Sequence, residues 1–220
     1  MLVRASQVID ELFMLQVDDN NLNLLKMLGN REKDQPYLDY FRIMFGPWDR
    51  RDHNRPFIAD VQKPPGAGYY PPDLTADSFE QWIADHPEDK ASFESNFTLI
   101  RRKAEKLIAV PYHIAYKNRL KAIVDYLKQA AQLTRDLSLK AYLNSRAEAF
   151  LSDDYYQSDM DWMDLSGDLE VVIGPDEVYE DALLGLKAAF ESFVCVVDHK
   201  ENEKVKQMGQ FMNQMEQHLP

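Results

Sequence analysis

With one cysteine in 220 residues, Cys195, the chain can form no internal disulfide and no multi-cysteine zinc site. Cys195 lies in the apolar run Phe193-Val194-Cys195-Val196-Val197, which reads as a buried, inert thiol because apolar surroundings raise a thiol's pKa. Basic residues are also in deficit: 25 Lys and Arg stand against 37 Asp and Glu, a net charge of -12. Phosphate neutralisation needs clustered cations, so general nucleic-acid binding is excluded. The short clusters Arg50-Arg51 and Arg101-Arg102-Lys103 read as solvated faces. No apolar run approaches the ~18 residues that mark a membrane-spanning helix, and there is no secretory h-region, so no membrane partner and a cytoplasmic location are expected. The histidines, His53, His86, His113, His199 and His218, include no i, i+4 pair that would seat zinc on one helix face. A Gly-rich phosphate loop after a strand and a G-x-S-x-G elbow are both missing. Asp159-Met160-Asp161 starts like a calcium loop, but Met163 takes the next ligand position and Asp164 that of the required glycine.

What is present is helical periodicity. The chain is 45% hydrophobic, enough to bury a core, and residues 1–220 read as a single domain or lobe. Helices are expected over Ala5 to Gln16, Asn21 to Leu28 and Pro36 to Phe45, with Gly29-Asn30 and Gly46-Pro47 as stops. Residues 46–74 are rich in Pro, Gly and aromatics, which suits an ordered surface loop rather than a passive linker. Thr75 or Asp77 caps the next helix, with Asp77 and Glu80 at capping-box spacing, and another short helix starts at Pro87. Between Phe97 and Val110 a hairpin competes with one continuous helix. Tyr112 to Leu133 and Leu137 to Leu151 carry amphipathic stripes that belong to a core. A helix around Glu180 to Glu191 and a terminal helix over Glu201 to His218 complete the helical set.

Two short apolar runs, Leu169 to Ile173 and Phe193 to Val197, read as strands. Their spacing permits parallel or antiparallel pairing, and a small antiparallel sheet is the expectation. The fold class is therefore α+β, predominantly helical. The first strand carries one charge, Glu170. Side chains alternate along a strand, so Leu169, Val171 and Ile173 face one way while Glu170 and Val172 face the other. An outward carboxylate there can receive a lysine, an arginine or a peptide amino terminus. A structural salt bridge to Arg101, Arg102 or Lys187 is the plainer alternative. Gly174 reads as the residue that ends the strand, and Trp48, Trp162, Tyr155 and Tyr156 as packing residues.

Ordered blocks along the chain carry a resemblance: Gly46-Pro47-Trp48-Asp49-Arg50, Tyr70-Pro71-Pro72-Asp73-Leu74-Thr75, Phe97-Thr98-Leu99-Ile100-Arg101-Arg102, Ser152-Asp153-Asp154-Tyr155-Tyr156 and Asp161-Trp162-Met163-Asp164. With Glu170-Val171-Val172-Ile173-Gly174-Pro175 and Glu177-Val178-Tyr179-Glu180-Asp181, the chain resembles the amino-terminal part of the dipeptidyl peptidase III family. Bacterial members and the similar region of plant Nudix-fusion proteins are nearest in pattern.

The resemblance implies a zinc exopeptidase that removes dipeptides from peptide amino termini. Its metal motif, H-E-x-x-G-H with a later E-E-x-x-[AG]-[ED], lies downstream of the matching region. By the same resemblance, Glu170 receives the peptide's ammonium, and Val171, Val172, Ile173 and Gly174 offer a strand edge to its backbone. Val172 stands where some members have tyrosine, and Asp176 where many bacterial relatives have it. The expectation is thus no catalytic residue, metal ligand or cofactor in these 220 residues, with zinc in a missing catalytic half. That half would be a partner in cis or a separate chain. The alternative is a stand-alone, non-catalytic peptide-binding module, with a homodimer through exposed apolar surface also open.

Overall fold

The computed structural model describes residues 1–30 and 32–219. Its centre is formed by three helices, α1 (Leu2–Val17), α7 (Lys117–Leu133) and α8 (Leu137–Ser152), packed with an antiparallel pair of strands. Helix α7 buries Leu120, Ile123, Val124, Leu127, Ala130 and Ala131, the i, i+3, i+4, i+7 stripe of a core helix. Helix α8 starts where the Asp136 carboxylate accepts the Ser138 and Leu139 amides, at 2.9 and 3.2 Å. It ends at Asp153, which adopts the left-handed conformation, with φ 61°. Around this centre lie α2 (Asn21–Gly29), α3 (Gln35–Met44), α4 (Ala76–Asp85), α5 (Lys90–Glu94), α6 (Tyr112–Ala115) and α9 (Tyr156–Met163). No described helix is long and apolar enough to cross a membrane.

The α+β, mostly helical architecture is as expected, and the sheets are antiparallel pairs. Strands β1 (Trp48–Asp49) and β2 (Arg55–Pro56) form a small clip inside the Pro- and Gly-rich segment. That segment is packed in place through the buried residues Trp48, Tyr69, Tyr70 and Leu74. Gly68 passes so close to α1 that a Cβ there would collide with the Leu15 carbonyl, and its own amide donates to the Gln16 carbonyl at 2.7 Å. Strands β3 (Thr98–Lys103) and β4 (Lys106–Pro111) settle the 97–110 alternatives in favour of a hairpin. The helix read over Tyr112 to Leu133 is interrupted at Tyr116, dividing α6 from α7. Thr75 caps α4, but its reciprocal partner is Ser78, not the expected Asp77–Glu80 pair. Thr75 Oγ1 accepts the Ser78 amide, and Ser78 Oγ accepts that of Thr75.

Strands β5 (Leu169–Glu177) and β6 (Ala189–Val196) pair antiparallel, with Glu170 opposite Cys195, Val172 opposite Phe193 and Gly174 opposite Glu191. Both are longer than expected. Strand β5 runs on through Gly174-Pro175, with an irregularity between Pro175 and Glu177, and β6 begins at Ala189. Cys195 is exposed, which corrects the expectation of a core thiol. It shares the outer face with Glu170, while Val171, Ile173 and Phe190 are buried inside. The terminal helix is divided into α10 (His199–Gly209) and α11 (Met212–Glu216), whose Val205, Met208 and Met212 are exposed.

The helix expected around Glu180 to Glu191 does not form. Asp181 is nearly fully buried, and its carboxylate accepts the amides of Leu183, Leu184, Leu186 and Lys187 at 2.9–3.1 Å. It also accepts the Tyr70 hydroxyl at 2.7 Å. Glu180 is bonded to Arg50 at 2.8 Å and to Lys63. The buried Lys187 ammonium donates to the Phe93 and Ser95 carbonyls at 2.6 and 2.7 Å and to Thr98 Oγ1 at 2.9 Å. Bonds satisfied by these side chains replace the i to i−4 ladder of a helix.

Asp181→Ala strands five donors, four amides of a partly buried loop and the Tyr70 hydroxyl, and a loss of about 3 kcal/mol or more is expected in urea unfolding. An unchanged midpoint would show that the Asp181 carboxylate does not hold this loop.

Candidate functional site

Alternation along β5 divides the five expected site residues into two groups. Val171 and Ile173 send their side chains into the core, at 0% and 1% exposure, so only their backbone can meet a ligand. Glu170, Val172 and Gly174 belong to the outer face, with Cys195, Phe193 and Glu191 beside them on β6. No strand pairs with the other edge of β5 among the described residues.

Among the described residues the Glu170 carboxylate has neither a hydrogen bond nor an ion pair, and the three cations considered for it are engaged elsewhere. Arg101 donates to the Tyr69 and Gly68 carbonyls and lies 3.4 Å from Asp19. Arg102 pairs with Asp73 at 2.6 Å, and Lys187 is bound to backbone carbonyls inside the core. The structural salt bridge is therefore not made.

A cavity of about 350 Å³ opens beside the outer face, between β5 and helices α8 and α9, lined by Tyr142, Arg146, Trp162, Met163, Val172 and Asp176. Arg146 organises it. The residue is 3% exposed, and its guanidinium carbon lies 5.4 and 5.3 Å from the ring centres of Tyr142 and Tyr155. Nη2 donates to Asp159 at 2.6 Å, Nη1 is 4.0 Å from Asp176, and Nε and Nη1 make no hydrogen bond. A Cβ on Gly174 would lie 2.7 Å from Nη1. Gly174 thus marks a close approach of the guanidinium to a continuing strand, not a strand end.

On the β6 side a second cleft of about 240 Å³ is lined by Asp10, Phe13, Phe45, Glu177, Tyr179, Glu191 and Phe193, among others. Burial pushes the Asp10 carboxyl above its usual range. Burial, then the neighbouring Glu177 and Asp176 carboxylates, does the same for Glu191. Asp176 is also raised by burial, with Arg146 acting against it. Carboxylates outnumber cations around this face, and such a field favours a positively charged ligand. Of the lining residues, Arg146 was hidden in a helix stripe, where its single charge resembles a solvated edge. Asp10 and Glu191 gave no signal because their meeting depends on α1 packing against β6. Among the described residues no three His, Cys, Asp or Glu side chains are placed to hold a metal ion.

The chain is similar to solved structures over its whole length. It superposes on the structure of DPP III from Caldithrix abyssi with a TM-score of 0.95 at 50% identity, covering 100% of this chain and 42% of that one. With dipeptidyl-peptidase III from Corallococcus sp. strain EGB the TM-score is 0.93 at 37% identity, with the same coverage. The family model described as Peptidase family M49 matches residues 74–220, and the chain belongs to this family. A curated relative, Nudix hydrolase 3 of Arabidopsis thaliana, is 32% identical over 274 residues, matching all of this chain and 36% of its own length. The chain therefore spans well under half of each of these proteins.

Gly174→Ala is expected to cost about 1–3 kcal/mol, because the guanidinium it meets is held by two rings and Asp159. In an Arg146→Ala background most of that cost should vanish, which a double-mutant cycle by urea unfolding measures. Equal costs in both backgrounds would remove the Arg146 contact as the reason for glycine.

Proposed function

We propose that this chain is the peptide-holding part of a cytoplasmic dipeptidyl peptidase of the dipeptidyl peptidase III kind, which releases dipeptides from free amino termini. In this reading the zinc ion and the hydrolytic groups come from a catalytic lobe that works with it. The observation that carries the reading is Glu170, which among the described residues is an outward carboxylate without a partner on a strand whose other edge is unpaired.

An ammonium group placed against Glu170 gains a charge-assisted hydrogen bond in a locally negative field. The backbone amides and carbonyls of Val171 to Gly174 then extend the sheet with the peptide as an added strand. Main-chain bonding is independent of side-chain identity, so the arrangement suits an enzyme that accepts many sequences. Anchoring the amino terminus at a fixed point of the strand is what lets such a site count two residues. Val172 has no hydroxyl, so at this position the chain contributes shape and no proton.

Binding of an amidated pentapeptide, followed by calorimetry, should fall about 10- to 100-fold in Glu170→Gln, the loss of one charged hydrogen bond. Acetylating the peptide's amino terminus should have the same effect on the unaltered chain. Equal affinity for free and acetylated peptides would contradict the proposal. Raising the pH through about 8 deprotonates the α-amino group, so affinity should decline above that value for the free peptide alone.

A further inference from the structure

We infer that the cavity beside Val172 receives the side chain of the third residue of a bound peptide and selects a large apolar one; this rests on the peptide reading of Glu170. The direction of the peptide follows from the two ends of the strand. With the ammonium at Glu170 and the backbone lying along Val171 to Gly174, the peptide runs the same way as β5. Each residue advances roughly 3.3 Å, and side chains two apart share a face. The first peptide residue is then abreast of Glu170 and the third abreast of Val172, whose side chain is part of the cavity wall. The cavity therefore reads the residue just beyond the dipeptide.

Its chemistry sets the preference. Val172, Tyr142, Trp162 and Met163 supply most of the wall, and Trp162 and Met163 are 39% and 70% exposed, apolar surface that an incoming side chain covers. Arg146 stands between the two carboxylates, 2.6 Å from Asp159 and 4.0 Å from Asp176. An acidic side chain adds a third negative group to that set. A basic one is drawn by the net negative charge of that set, but it meets the guanidinium as a like charge and loses its water against an apolar wall. A leucine or phenylalanine side chain encounters neither penalty and fits within the cavity of about 350 Å³ without displacing a bond.

The test uses this chain and amidated pentapeptides that are alanine except at the third residue, read by calorimetry. Leucine and phenylalanine should bind about tenfold or more tightly than glycine, from burial of one apolar side chain, and aspartate more weakly than glycine. Trp162→Ala should erase the leucine-to-glycine ratio while leaving the requirement for a free amino terminus. Val172→Phe, which fills the cavity from the strand side, should do the same without removing α9 packing. Equal binding of leucine and glycine, or tighter binding of lysine than leucine, with acetylation still weakening binding, overturns this inference and leaves Glu170 as the anchor. If acetylation makes no difference, or no peptide binds, the reading of Glu170 fails and takes the third-residue cavity with it.

Discussion

Burial of Val171 and Ile173 in the core is the constraint from which the rest of the site follows. A strand with one face buried cannot slip by a single residue without sending its apolar side chains into water and its charge into the core. That restriction alone turns Glu170, Val172 and Gly174 outward. The contact between Arg146 and the backbone at Gly174 adds a second restraint, since the guanidinium reaches the strand only where no Cβ intervenes. The loop between β5 and β6 is tied through Asp181, Glu180 and Lys187 to Tyr70, Arg50 and the β3 region, so the hairpin is fixed at both its face and its turn.

The consequence is a partly exposed, negatively charged sheet face carried by a helical body. Carboxylates on such a face would ordinarily attract the chain's own lysines and arginines. Here Arg50, Arg101, Arg102, Arg146 and Lys187 are each committed to other partners, leaving Glu170 without one among the described residues. Membership of peptidase family M49 gives that carboxylate its context, since the chains similar to this one include two dipeptidyl peptidase III structures and a plant Nudix hydrolase.

Much of the fold is legible in local pattern. The stripes of α1, α7 and α8, the alternation around Glu170 and the stops at Gly29 and Gly46 are all short-range signals, and they correspond to the observed elements. The failures have non-local causes. Residues 180 to 188 look helical in composition, yet Asp181 is satisfied by four amides of its own loop and by a tyrosine 111 residues away. Cys195 sits in an unbroken apolar run, but only one face of β6 is covered, so the run is divided between core and surface. Gly174-Pro175 resembles a stop, whereas the glycine makes room for Arg146. At the site, Glu170 was visible as a charge out of pattern. The cavity was not, because it requires α8, α9 and β5 to converge from positions 142 to 176.

The central claim is that a peptide's free amino terminus is held at Glu170 with its backbone along β5. The most direct measurement is a heteronuclear NMR titration of the ¹⁵N-labelled chain with a free-amino pentapeptide and its acetylated counterpart. The account predicts amide shifts concentrated from Glu170 to Gly174, with the Trp162 indole responding, for the free peptide and much weaker ones for the acetylated form. Shifts confined to another surface, such as α10 or the Pro- and Gly-rich segment, or equal shifts for both peptides, would contradict it.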